Sequence, residues 1–255
     1  MPGFEVFDDQ EKNAVNSIFE EGGILFAHGF DNLRKNFHVR EFEQHLTKYF
    51  GSSYCSAISS GTAGIKCALK AVGVKPGMEV ITQPFNFVAT VEAILDCGAI
   101  PRICKIDDNL HIDCTSLDEL INHKTRAIIP VYMLGGISNI EELSKIKQKH
   151  KISIIEDNCE STGAKYKDKY VGTLFEAGVF SFDHGKMIAC GEGGAVLSNS
   201  IDINNYIRRY SDHGHELNPE LARGIDKAII PGFNYRMTEM QAAVGKVQLS
   251  KLDYM

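Results

Sequence analysis

The chain has 255 residues, 44% of them hydrophobic and 24% charged, and a formal net charge of -6 from 27 Lys and Arg against 33 Asp and Glu. That is the balance of a soluble globular α/β protein of one large domain, or one domain and part of a second; its acidic character argues against a nucleic-acid partner. No apolar run approaches the roughly 20 residues that span a bilayer, no signal peptide precedes Asp8-Asp9-Gln10-Glu11, and seven cysteines without a Cys-x-x-Cys pair read as free thiols in a reducing cytoplasm.

In chain order, Asp8 or Asp9 caps a first helix with Val15, Ile18 and Phe19 on one face, ended by Gly22-Gly23. A second helix is predicted over 39–50, with Phe42, Leu46 and Phe50 at helical spacing and Gly51 as its stop. Strands and helices then alternate: strand 54–59, helix 62–72, strand 79–82, helix 87–96, strands 101–106 and 127–131, helix 140–150 and strand 152–156. After Gly191-Glu192-Gly193-Gly194 come a strand over 195–198, a helix over 203–210 and a last helix over 238–252, on which Gln241, Val244, Val247 and Leu249 form a stripe. The alternation implies a mostly parallel sheet covered by helices on both faces. The last helix reads as a chain cut short; a frayed C-terminal helix is the alternative.

Three stretches carry chemistry. Ser59-Ser60-Gly61-Thr62 lies where a strand turns into a helix, so the free N–H groups and positive dipole end of the first helical turn favour a phosphate. Gly61 admits a close ligand and Ser60 and Thr62 add hydroxyls; an ordinary N-cap uses the same residue types. Asp157 ends an apolar strand, at the sheet edge where ligands of α/β folds gather. There it can keep a pyridine nitrogen protonated, or simply form a turn with Asn158. Lys186 follows 29 residues later, with Ser181 close before it and the glycine run close after. A lysine so placed can bond an aldehyde and shuttle a proton, although most lysines are surface groups. Together the three describe a pyridoxal phosphate site. His213-Gly214-His215 lacks a third ligand cluster, so no metal is expected. Cys159 and Cys190 read as small buried residues, and Lys145, Lys147, Lys149 and Lys151 as a solvated helix face and its end.

These residues resemble the DegT/DnrJ/EryC1/StrS aminotransferases. The matching stretches are Ser59–Ala63, Phe87-Val88-Ala89-Thr90, Glu156-Asp157, Ser181-Phe182 with Lys186, Gly191–Gly194, and Gly232-Phe233-Asn234-Tyr235-Arg236-Met237 with Glu239 and Gln241-Ala242-Ala243. The resemblance implies an aspartate aminotransferase-like large domain with a seven-stranded-type sheet. It divides the chain into an N-terminal helical segment (1–50), a cofactor-binding domain (51–237) and the start of a linker helix (238–255), without the small C-terminal domain that follows in the family. It further implies pyridoxal phosphate bonded to Lys186, its ring nitrogen paired with Asp157, and Phe87 stacked on the ring. Ser60, Gly61, Thr62 and Ser181 would hold the phosphate, Glu160 would stand near the ring, and Asn234 would reach the phosphate of a neighbouring subunit in a two-fold dimer; a turn Asn is the alternative there.

The activity implied is amino transfer from glutamate or glutamine to a keto-sugar for surface polysaccharide. The opening Met1–Glu5, Gly29-Phe30-Asp31 and Ser181-Phe182-Asp183 look most like transaminases of an 8-keto octulosonate. Relatives with histidine in place of the lysine are dehydratases; here Lys186 is present, with His184 two residues before it. A dehydratase, or a homologue that binds cofactor without turnover, is the alternative function.

Overall fold

A computed structural model describes residues 2–218, 221 and 225–255. After a 3-10 turn at Gly3–Val6, α1 spans Asp9–Glu20. Its cap is Asp8, whose side chain accepts from the Gln10 N–H (2.7 Å), while the Glu11 carboxylate accepts from the Asp8 N–H (3.0 Å); this capping box satisfies donors that have no partner within the helix. Helix α2 (His38–Phe50) stops at Gly51, which is left-handed with φ 75°. The alternating region follows as β1 (Tyr54–Ile58), α3 (Gly61–Ala71), β2 (Glu79–Thr82), α4 (Val88–Asp96) and β3 (Ile100–Ile103). It continues with the short α5 (Leu117–Leu120), β4 (Thr125–Ile129), α6 (Ile140–His150) and β5 (Ser153–Asp157). A small hairpin, β6 (Lys165–Tyr166) and β7 (Lys169–Tyr170), precedes β8 (Ala177–Ser181), β9 (Gly194–Ser198), α7 (Ile201–Tyr210) and α8 (Glu239–Ser250).

The main sheet has seven strands in the order β1-β9-β8-β5-β4-β2-β3. All run the same way except β9, which is antiparallel to both β1 and β8. Strand side chains alternate between faces. Val80, Ala127, Ile129, Ile155, Val179 and Val196 pack with α3, α4 and α7 on one side. Their neighbours Phe180, Ala195 and Leu197 pack with Phe42 and Leu46 of α2 and Leu249 of α8 on the other, where Ile81, Ile128 and Ile154 also meet Leu143 and Ile146 of α6. Each buried Phe, Leu or Ile contributes about 1.5–3 kcal/mol by leaving water, so both helical layers are held firmly to the sheet.

The sequence pattern misses β8, the strand that ends beside the site. Ala177-Gly178-Val179-Phe180-Ser181 is buried on both faces, so it shows neither alternation nor a long apolar run. Phe19 does not share the buried face with Ile18; it is 56% exposed. The inner side of α1 instead carries Glu11, which takes Gln248 Nε2 (2.7 Å) and Lys251 Nζ (2.7 Å). Helix α8 likewise turns inward through Ala242, Ala243, Gly245, Gln248 and Leu249 rather than through Val244 and Val247. A Cβ on Gly245 would lie 2.7 Å from the Phe42 ring, so small residues are what let α8 sit close to α2.

Candidate active site

Register brings the three chemical stretches to one edge. Ile58 at the end of β1 and Ser181 at the end of β8 both pair with Gly194, the first residue of β9, and Asp157 at the end of β5 pairs with Val179. Four chain segments distant in sequence therefore meet at the carboxyl ends of the parallel strands, where binding crevices of such sheets form.

The cradle is built at the start of α3. Ser60 is extended (φ -167°), caps the helix and accepts from the Ala63 N–H (3.1 Å). The N-cap reading is thus correct for this side chain, and its O–H is still able to donate. The N–H groups of Gly61 and Thr62 precede the first intrahelical bond and have no acceptor among the described residues, and Thr62 is exposed. Two glycines shape the floor. A Cβ on Gly61 would lie 2.9 Å from both Cys159 Sγ and Ser181 Cβ. One on Gly194 would lie 2.6 Å and 2.8 Å from the Ser60 carbonyl carbon and the Gly61 nitrogen. Free N–H donors, the helix dipole and the Ser181 hydroxyl converge there on a surface suited to an anion.

Asp157 is 3% exposed. Its Oδ2 accepts from Thr90 Oγ1 (2.8 Å) and its Oδ1 from the Cys159 N–H (3.2 Å), the latter a local turn contact of the kind Asp favours. Burial pushes its carboxyl above the usual range, opposed by the bonds from Cys159 and Thr90 and by the charge of Lys186. A carboxylate desolvated in this way is stabilised by a nearby cation, which a protonated pyridine nitrogen supplies. Thr90 comes from α4, whose N-cap is Phe87. Residues three apart on a helix share a face, so the end of α4 that bonds Asp157 also presents Phe87, an aromatic ring left 64% exposed.

Lys186 sits in the loop between β8 and β9, where its N–H donates to the Asp183 carbonyl (3.0 Å) and the His184 N–H to Gly191 (3.0 Å). Its Nζ forms an ion pair with Glu160, placed there by the turn that follows Asp157. His184 faces elsewhere: its ring stacks on Phe4 with centroids 4.5 Å apart. Ser60, Gly61, Thr62, Asp157, Glu160, Ser181 and Lys186 thus gather at one edge, with Phe87 beside them on α4. Asn234 does not join them. It is exposed, and its Oδ1 accepts from the Arg236 N–H (3.5 Å), on a segment held to β1 by the Ser59 N–H and the Tyr235 carbonyl (2.8 Å).

Sequence reasoning missed the roles of Thr90 and Gly194, and gave Cys159 no role beyond packing. The helical spacing from Phe87 to Thr90 was the available signal for the first. The approach of Gly194 to Ser60 and of Cys159 Sγ to Gly61 arises only from tertiary packing, whereas the Cys159 N–H bond to Asp157 is a local turn. Glu156 was also passed over. It accepts from the N–H groups of Gly172 (2.8 Å), Leu174 (2.9 Å) and Phe175 (3.0 Å), tying that loop beneath β5.

An anion cradle that a Cβ would fill and a buried carboxylate beside a lysine fit the phosphate, ring nitrogen and aldehyde of pyridoxal phosphate. The fold is that of the large domain of pyridoxal phosphate-dependent aminotransferases. Residues 27–255 match the model of the DegT/DnrJ/EryC1/StrS aminotransferase family. The chain belongs to that family, whose members are pyridoxal phosphate-dependent. It is 35% identical to GDP-perosamine synthase of Caulobacter vibrioides over 84% of this chain and 57% of that protein. It is 32% identical to L-glutamine:2-deoxy-scyllo-inosose aminotransferase of Streptomyces fradiae, over 85% of this chain and 52% of that protein. Among solved structures, E. coli GDP-4-keto-6-deoxy-D-mannose-3-dehydratase with bound hydrated PLP superposes with a TM-score of 0.86 at 29% identity, over 97% of this chain and 66% of that one. The chain spans between half and two thirds of the length of these relatives.

Proposed function

We propose that this chain is the cofactor-binding part of an aminotransferase that moves an amino group from glutamate or glutamine to a keto-sugar, nucleotide-linked or a keto-octulosonate, destined for surface polysaccharide or lipopolysaccharide. The observation that carries the reading is the meeting of Lys186, Asp157 and the Ser60–Thr62 turn at one sheet edge. The name of the Streptomyces relative supports glutamine as donor, and that of the Caulobacter relative a nucleotide-linked sugar.

When bound, pyridoxal phosphate supplies an electron sink for the carbon that exchanges its proton. The residues of the chain do the rest. Gly61 and Thr62 N–H groups and the Ser60 and Ser181 hydroxyls hold the phosphate. Asp157, oriented by Thr90 and Cys159, would keep the ring nitrogen protonated, and Phe87 would offer its exposed ring to the cofactor. Lys186 would supply the amine that bonds the cofactor aldehyde and, when not so bonded, could carry a proton at its Nζ; the Glu160 carboxylate pairs with that Nζ and orients it. Asn234, exposed, suits contact with the phosphate of a second subunit in a two-fold dimer. Helix α8 would lead on as the linker to a small C-terminal domain. Seven free cysteines, five of them buried, favour a reducing cytoplasm.

The test is the visible absorption of the purified chain with pyridoxal phosphate, beside Lys186→Ala, before and after glutamate or glutamine. A band that needs Lys186 and bleaches with donor supports the reading, and keto-sugar acceptors follow. A Lys186-dependent band that neither donor alters favours a binding homologue or a dehydratase. Absence of such a band removes the cofactor from the reading of this chain.

A further inference from the structure

The amino-terminal arm reaches the turn that carries Lys186. The Gly3 N–H donates to the Lys186 carbonyl (2.8 Å), and the Phe4 ring stacks on His184, two residues before the lysine, with planes 14° apart. Gly3 is buried, and a Cβ there would lie 2.4 Å from the Met187 carbonyl oxygen and 3.0 Å from the Ala189 nitrogen. Only glycine allows so close an approach to that turn. The arm is pinned from its other side, since Lys251 Nζ donates to the Val6 carbonyl (2.9 Å) and to Glu11 (2.7 Å).

The cradle, the ring-nitrogen partner and the lysine all lie between residues 60 and 186, so the site as described makes no use of this arm. We propose that Gly3 and Phe4 are positioning residues that clasp the Lys186 turn and fix the backbone from which its amine reaches the cofactor aldehyde. This rests on the pyridoxal phosphate reading of the site. A lysine side chain has four rotatable bonds, so where its amine arrives depends on how firmly its own backbone is held. The Gly3 bond secures the lysine carbonyl directly, and the Phe4 ring blocks the turn from swinging outward at His184.

The experiment uses the whole chain with Gly3→Ala, Phe4→Leu and the ring-preserving Phe4→Tyr, with Glu5→Ala on the exposed side of the arm as control. Three quantities are read: thermal midpoint, amide hydrogen exchange over 183–191 without cofactor, and the pyridoxal phosphate titration with the pH midpoint of its Lys186-dependent band. Gly3→Ala and Phe4→Leu are expected to speed exchange in the turn and to weaken cofactor binding by roughly 5- to 10-fold, the worth of one backbone hydrogen bond. The pH midpoint of the band should move as well, while Phe4→Tyr and Glu5→Ala stay within twofold of the parent. A lower thermal midpoint with the band and its pH midpoint unchanged overturns the clasp, because the arm then serves only the fold. A parent chain without a Lys186-dependent band overturns the cofactor reading, and the clasp with it. A parent band that Gly3→Ala and Phe4→Leu leave untouched overturns the clasp alone.

Discussion

Glu156→Gln gives the sharpest test of the electrostatics beside the site. The Glu156 carboxyl is fully buried, and burial pushes it up to about 7 against the opposing N–H bonds from Gly172, Leu174 and Phe175. A value raised from about 4.5 to about 7 corresponds to roughly 3 kcal/mol of preference for the protonated form in the fold. With the folded value above the unfolded one, that stabilisation is fully present below about pH 4.5 and is lost as pH rises through about 7. Glutamine has the shape of the protonated acid and does not titrate. It differs in turning a second N–H toward the cluster of backbone donors, which costs about 1 kcal/mol. The variant is therefore expected to match the parent to within about 0.5 kcal/mol at pH 5, and to be about 2 kcal/mol more stable at pH 8. Urea unfolding of both proteins across that range reads the difference directly, and other titrating groups cancel in the comparison. A glutamine variant equally destabilised at pH 5 and pH 8 would refute the reasoning. It would mean that three N–H donors outweigh burial and keep the carboxylate charged.

Three further expectations concern the site and the core. Gly194→Ala drives a Cβ against the Ser60 carbonyl and the Gly61 nitrogen; overpacking of this kind costs about 1–3 kcal/mol, and cofactor titration should show at least a roughly tenfold loss of affinity as the cradle shifts. Thr90→Val removes the O–H donated to Asp157; a bond to a charged group is worth about 1.5–3 kcal/mol, so the thermal midpoint should fall and cofactor affinity drop by about 10-fold or more, and unchanged affinity would deny Thr90 its orienting role. Phe42→Ala empties a fully buried ring site between α2, α8 and the sheet and should lower unfolding free energy by about 3–5 kcal/mol in urea.

Much of the molecule is legible along the chain because its signals are local. Gly51 stops α2 through its own left-handed conformation, and the bounds of β2 and α6 follow from short apolar runs and a helical period. The three stretches at the site are recognisable because a helix N-terminus, a strand-end carboxylate and a lysine beside a glycine run each have a chemistry readable within a few residues. Where the pattern misleads, the cause is a partner distant in sequence. Phe19 lies outside because α8 meets α1 through Glu11, Gln248 and Lys251, an ionic seam that hydrophobic periodicity does not register.

The amino-acid sequence by itself determined the elements, their alternation and the residue types the chemistry requires. Tertiary structure alone decided that β8, silent in the pattern, ends beside β5, and that an antiparallel β9 begins between β1 and β8. Tertiary packing likewise sets Gly194 against Ser60, Ser181 against Gly61, Thr90 on Asp157 and Gly3 on Lys186. Such contacts join residues tens to nearly two hundred positions apart. No local propensity encodes them; they follow from the requirement that both faces of one sheet be buried at once.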